Sequence, residues 1–339
     1  MMIRAVLLLF FSLLQTVFPA RASEPWTIGD KGFITGLNGH PFTQPPDNHI
    51  NLTDLISLLQ QAHVAYYRFD VPMKPNWKAL DALVDALNKN QIAPLPIIFP
   101  PGDRSNLAPQ EVDAKAFAYA TAMIQRYHGQ IHYWELSNEL DIFCLFRKGD
   151  IKPDGQVYNY GSPSGWNPAE IDEKRYQVAL ATLRGLSRGI RSVDPTARLI
   201  VNTGGWLHVG FLDRLQQDKL DYDIVGWHWY SDYGDIRKVQ GKPLLNHLVS
   251  YQKPIWITEG NYRPRKSEVA ERKPQADYLQ AALTDFSGLY PIVQSYCVYT
   301  LFNFPPEGPY GLIHAERTAG GWQLTKKPAF DVLANFSPD

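Results

Sequence analysis

The sequence predicts a single-domain α/β fold, a (β/α)8 barrel. Short apolar segments alternate with amphipathic helical segments, and the apolar segments start near residues 32, 64, 93, 131, 198, 224, 254 and 292. Regular strand–helix units favour an all-parallel sheet. Eight such units in a chain of 339 residues favour closure, since a barrel of this kind takes about 250 residues. The gaps between starts are 32, 29, 38, 67, 26, 30 and 38, so one connection, after the fourth strand, is far longer than the rest.

The elements follow in order. Residues 32–37 form strand one, which ends at Asn38-Gly39-His40, and residues 52–63 have apolar residues at helical spacing. Strand two is 64–69, a helical segment 80–87 follows, and strand three is 93–99 despite its prolines. An alanine-rich helix over 111–127 leads to strand four, 131–136. Residues 141–166 are irregular and rich in Gly, Pro, Asn and Tyr, a length of connection that is usually functional or disordered. Asn167-Pro168 has the cap and first-turn residues of a helix running towards Val193. Arg184, Arg188 and Arg191 on that helix are read as its solvated outer face. Strand five is 198–202, helix 211–219, strand six 224–229, helix 244–251 and strand seven 254–259. A helix over 274–286, strand eight at 292–301, a hairpin at Gly320-Gly321-Trp322 and a closing helix at 328–335 complete the chain.

The N-terminus opens with Arg4, an apolar run from Ala5 to Phe18 and the small residues Ala20 and Ala22. That order reads as a secretory signal peptide over residues 1–22, with the barrel domain at 23–339. The apolar run is shorter than the roughly 20 residues of a membrane span, and no later stretch is long and apolar enough to be one. The expected product is secreted or periplasmic, with no membrane anchor after cleavage. A net charge of −1 argues against nucleic acid as a partner. The two cysteines, Cys144 and Cys297, could pair in an exported protein, but two buried free thiols fit their placement at least as well. The sequence is silent on oligomeric state.

In such barrels the site lies at the C-terminal ends of the strands. Those ends carry Asn38 and His40, Arg68 and Asp70, Asn138 and Glu139, Asn202, His228 and Tyr230, Glu259, and Asn303. Two of them are glutamates that close apolar strands, 120 residues apart. One lies in Tyr133-Trp134-Glu135-Leu136-Ser137-Asn138-Glu139, the other in Pro254-Ile255-Trp256-Ile257-Thr258-Glu259-Gly260. A carboxyl among apolar neighbours needs a partner or a proton, and a protonated glutamic acid is what a general acid must be. Paired carboxyls of this kind suggest cleavage of a glycosidic bond. Glu135 lies deeper in the same strand and is read as a buried structural partner.

The Asn138-Glu139 pair, Glu259, Arg68 and the His228-x-Tyr230 pattern together resemble glycoside hydrolase clan A, retaining barrel glycosidases, over the whole mature chain. Gly36-Leu37-Asn38-Gly39-His40 and Tyr67-Arg68-Phe69-Asp70-Val71 look most similar to family 39-like members. The resemblance implies Glu139 as acid/base and Glu259 as nucleophile. It implies Asn138 on the sugar 2-hydroxyl, Arg68 and Tyr230 bonded to the nucleophile, and His228 bordering the pocket; His40 is expected among the substrate contacts. Three positions depart from the pattern: Ser137 for Trp, Leu140 for Pro, and a strand eight ending in Leu301-Phe302-Asn303 without the Trp that commonly floors the sugar site.

The substrate expected is a poly- or oligosaccharide, cut by an exo- or an endo-acting enzyme, with no cofactor and no metal. Metal-dependent barrel hydrolases usually need His-x-His at strand one, where only His40 stands. A carbohydrate-binding barrel without catalysis is the alternative, but a binder has no need of both glutamates. The basic residues Arg263, Arg265, Lys266, Arg272 and Lys273, with Arg147, Lys148 and Lys152 of the long connection, are read as solvated loops; recognition of an acidic sugar is the other reading.

Overall fold

The computed structural model describes residues 32–100, 107–265, 267–304 and 308–338, so the expected signal peptide and Lys266 lie outside the described residues. Eight parallel strands close into a barrel in chain order: β1 (Ile34–Gly39), β2 (Tyr66–Val71), β3 (Ala93–Ile98), β4 (Tyr133–Leu136), β5 (Arg198–Thr203), β6 (Ile224–Tyr230), β7 (Ile255–Asn261) and β8 (Val293–Val298). Helices α1 (Leu52–Gln61), α2 (Trp77–Lys89), α3 (Pro109–Tyr127), α4 (Leu140–Cys144), α5 (Glu173–Arg191), α6 (Val209–Gln217), α7 (Leu244–Val249) and α8 (Glu268–Ser287) follow the strands, with α5 adding to α4 after β4. A hairpin, β9 (Ile313–Thr318) with β10 (Gly321–Lys326), and α9 (Pro328–Ala334) end the chain. Asn51, Asn76 and Asp172 start α1, α2 and α5 by accepting the N–H of Asp54, Ala79 and Arg175, donors that a first turn otherwise leaves unpaired.

The barrel interior is closed by one buried side chain from each strand: Ile34, Tyr66, Leu95, Tyr133, Ile200, Ile224, Trp256 and Cys297. Trp256 is the centre of this plug, with the rings of Tyr66 and Tyr133 at 5.4 and 5.3 Å. Gly36 makes room for it, since a Cβ there would stand 2.2 Å from the Tyr66 ring. Side chains alternate across a strand, so residues two further along also face inward, one layer nearer the C-terminal rim. Arg68, Glu135 and Asn202 are such residues, Asn38 lies four positions beyond Ile34 on the same face, and all four are buried and polar. The plug thus provides a dry floor for a polar layer.

Four sequence expectations need correction. Strands one, two, four, seven and eight begin later than the apolar runs suggested, and one, two and seven also end later, so Asn38 and Asp70 lie inside strands and Glu259 lies two residues before the end of its own. The reason is that the upper interior layer is polar and internally hydrogen-bonded, so the ladder continues where hydropathy falls. Asn167-Pro168 opens a single 3-10 turn; α5 begins at Glu173, because Ile171 is extended and bridges Leu145 before Asp172 caps the helix. The 141–166 connection starts with a helical turn, α4. Finally, α8 begins at Glu268 and continues through Pro274, its first turn held by Glu268 bonds to Arg272, Asn303 and His314.

Other expectations hold. Arg184, Arg188 and Arg191 pair on the outer face with Asp218, Asp113, and Asp221 with Asp223. Cys144 and Cys297 are both buried and free. Among the described residues no helix is long and apolar enough to cross a membrane.

Candidate active site

Arg68 organises the rim of the barrel. It is 1% exposed, and its five N–H donors meet five acceptors. Nε and Nη2 reach the two oxygens of Glu135 at 2.5 and 2.9 Å, Nη1 reaches Asn38 at 2.6 Å and Glu259 at 2.7 Å, and Nη2 also reaches Asn138 at 3.0 Å. Glu135, fully buried, also accepts the amide of Asn202 at 2.5 Å. It is therefore the structural partner that the sequence suggested.

Asn202 has a second role. Its Oδ1 accepts the backbone N–H of Glu139 at 2.7 Å, and its amide donates to the Ser137 carbonyl at 3.1 Å. Ser137 and Glu139 both have positive φ, 65° and 46°, a left-handed conformation that side chains other than Gly adopt only when neighbours hold it. Those bonds turn the chain sharply after β4 and aim the Glu139 side chain into the barrel mouth.

There Glu139 meets Glu259. A carboxylate oxygen of each and a ring nitrogen of His228 lie within 4.8 Å of one another. His228, fully buried, places Nδ1 at 2.8 Å from Glu139 and 3.4 Å from Glu259. The β6–β7 register shifts between Trp227 and His228, pairing His228 with Glu259. The Tyr230 hydroxyl donates to Glu259 at 3.0 Å. Burial pushes the Glu259 carboxyl up, but the His228 and Arg68 charges and the Arg68 and Tyr230 bonds outweigh it and hold the pKa below the usual carboxylate value. Burial pushes the His228 imidazole down, yet the Glu259 charge and the Glu139 bond leave it raised. His228 Nε2 is buried without a partner among the described residues, which limits that rise.

A cavity of about 660 Å³ opens above these groups. Residues at the ends of all eight strands line it, from His40 after β1 round to Tyr299 after β8. His40 gives Nδ1 to Asp70 at 2.9 Å, and Asp70 also accepts from Thr43 at 2.7 Å; His40 Nε2 has no partner among the described residues. The buried Asp47 carboxyl beneath, raised to about 6 by desolvation, accepts the His40 N–H at 2.5 Å.

No protein-family model and no curated protein matches the chain. Among solved structures it resembles a β-glucosidase from Thermotoga maritima in complex with noeuromycin, with a TM-score of 0.63, 14% identity, and coverage of 90% of this chain and 97% of that one. It also resembles a psychrophilic glycoside hydrolase family 10 endo-β-1,4-xylanase (TM-score 0.61, 16% identity, 91% and 98% covered) and the GH53 catalytic domain of Ignisphaera aggregans (0.56, 16%, 91% and 97%). The likeness shows the barrel fold.

The structure brings together Glu139, Glu259, Asn138, Arg68, Tyr230, His228 and His40, the residues assigned catalytic or substrate-binding roles from the sequence. It leaves Asn303 outside, where it holds Gly311, Lys327 and Glu268. It also corrects the account of strand eight: β8 ends at Val298, and Tyr299 follows directly, its ring lining the cavity beside His40 at 5.8 Å. An aromatic floor is present, as tyrosine. Of the described basic residues grouped after β7, Arg263 alone lines the cavity; it pairs with Asp232 at 2.9 Å and covers the Tyr230 ring at 4.3 Å. Arg272 and Lys273 belong to α8 and pair with Glu268 and Asp277. Sequence reasoning missed Trp206, Asp141 and His208 as well, since no hydrophobic period marks them.

Glu139, His228 and Glu259 also have the donor types of a metal site. The Arg68 guanidinium bonded to Glu259 works against a second cation at that carboxylate, and the Tyr230 proton occupies its other oxygen. The set therefore fits carboxylate chemistry better than metal ligation.

Proposed function

We infer that the chain is a retaining glycoside hydrolase acting on an oligo- or polysaccharide, with Glu259 as nucleophile and Glu139 as acid/base. One observation carries this reading: the two carboxyls approach within 4.8 Å at the floor of a cavity on the barrel axis. That spacing belongs to the double-displacement class, whose carboxyls stand about 5–5.5 Å apart, whereas single displacement leaves about 6.5–9.5 Å for a water. Ionised Glu259 attacks the anomeric carbon while Glu139 protonates the departing oxygen. The glycosyl ester then carries no charge, Glu139 accepts a proton from water, and that water releases the sugar with its configuration kept. Asn138, fixed by Arg68, faces the reacting sugar, and Tyr299 supplies a ring beneath it.

The resemblance of these residues to clan A supports the same roles; the family 39-like placement gains nothing from the solved-structure likenesses. Residues 1–22 are proposed to export the protein. The test is turnover of a panel of aryl glycosides and polysaccharides, with the anomeric form of the first product followed by NMR. Retention is expected; inversion, or no turnover of any substrate, overturns the reading.

A further inference from the structure

The cavity has one wall on the side of the acid/base that the chemistry above does not use. It is formed by Ile142 on α4 and by Gly204, Trp206 and His208 after β5, with Tyr233 after β6. Ile142 is 46% exposed, and Trp206 is half-buried. His208 is fixed from three directions. Asp141, 1% exposed, takes its Nδ1 at 2.5 Å and clamps the Gly204 N–H with both oxygens at 3.0 and 3.1 Å. Gly165 of the long connection lies so close that a Cβ there would stand 2.5 Å from the imidazole, and the Trp206 ring meets it edge-on at 6.4 Å. Because a carboxylate only accepts, Nδ1 carries a proton, and in the neutral ring Nε2 is then the acceptor.

An apolar face with one fixed polar atom is the complement of a sugar ring, whose C–H surface packs on an aromatic while its hydroxyls seek hydrogen bonds. The wall adds no unpaired charge: Asp141 is spent on His208 and Gly204, and Arg263 on Asp232. We propose that the Ile142–Trp206–His208 wall is a leaving-group subsite for a neutral sugar, with Trp206 as its platform and His208 Nε2 accepting a hydroxyl proton. Asp141 is the positioning residue that fixes the imidazole. The inference rests on the glycosidase reading, since the wall is a leaving-group side only if Glu139 is the acid.

The test compares neutral disaccharides with glycosyl fluorides of the same donor sugar, whose leaving group is too small to touch the wall. The ratio of kcat/KM for disaccharide over fluoride should fall about tenfold or more in Trp206→Ala and in His208→Ala, the loss of one aromatic or hydrogen-bonded contact. Asp141→Asn should lower the same ratio, an effect that mere loosening of the fold would not produce. A ratio within about threefold of wild type in both Trp206→Ala and His208→Ala overturns the proposal, as does a wild type that cleaves fluorides but no disaccharide. A wild type that prefers uronic acid leaving groups overturns the neutral assignment. Turnover of neither substrate class would instead remove the glycosidase reading itself.

Discussion

Nδ1 of His228 lies 2.8 Å from Oε1 of Glu139, in a position where the imidazole is fully buried. Both neighbouring carboxyls favour its charged form, so its pKa in the folded protein is raised. A raised imidazole stabilises the fold at low pH and loses that contribution as pH climbs from the unfolded value of about 6.5 through the higher folded one. The melting temperature of wild type should therefore exceed that of His228→Gln most at pH ~5 and by less at pH ~9. A difference that stays constant over that range contradicts the coupling.

Glu259 shows the opposite sign. Its folded pKa is lowered, chiefly by His228 and Arg68 against the pull of burial, so its charge persists below the ordinary glutamate value of about 4.3 and is lost only as pH falls through the lower folded value. The acid limb of kcat/KM should lie below that value. Tyr230→Phe removes the 3.0 Å phenol bond to the charged form and should move the limb up by about one pH unit. An unmoved limb in Tyr230→Phe would show that the bond does not hold the charge.

Much of this could be read from the chain because barrel chemistry follows barrel geometry. A parallel strand buried on both sides is an apolar run, and the first polar residue after it lands at the rim, so Asn138-Glu139 and His228-x-Tyr230 were visible as strand endings. Glu135 was legible for the same reason, by its depth. Strand ends were misread where the interior itself is polar: Asn38 continues β1 because Arg68 of β2 and the Thr258 carbonyl of β7 satisfy it from other strands, a relationship no local pattern contains. That misreading hid Tyr299, since the apolar run continues to Phe302 and masks the end of β8 at Val298. Asp141 and His208 are 67 residues apart and meet only after folding.

Metal removal separates two chemistries that share donors. If Glu139, His228 and Glu259 act as carboxyls beside an imidazole, incubation with EDTA followed by desalting should leave kcat/KM within about twofold of the untreated enzyme, because no structural or catalytic ion is lost. Activity that disappears and returns on adding a divalent cation would reassign the three residues as ligands.

The Arg68–Glu135 pair is buried, with 1% and 0% of the side chains exposed. Removing one partner leaves the other charged in a dry layer, so Glu135→Ala should cost about 3–5 kcal/mol of unfolding free energy, measured by denaturant titration. Because Arg68 also fixes Glu259 and Asn138, activity falls too, but added azide should not restore it. A stable Glu135→Ala protein rescued by azide would make Glu135 a catalytic group.

Azide has the opposite expectation at the nucleophile. Glu259→Ala deletes the attacking oxygen and opens space beneath the anomeric carbon while leaving Glu139 in place to protonate the departing group. Turnover should drop by several orders of magnitude, on the scale of losing a covalent catalyst. Azide entering that space attacks from the face the carboxylate used, in one displacement, so the product is a glycosyl azide of inverted configuration. Glu139→Ala fails differently. The nucleophile remains, so substrates with activated leaving groups still form the glycosyl ester; azide then intercepts the ester from the opposite face and gives the retained azide. Opposite anomers from the two variants assign both roles in one experiment, and a Glu259→Ala enzyme of undiminished activity refutes the assignment.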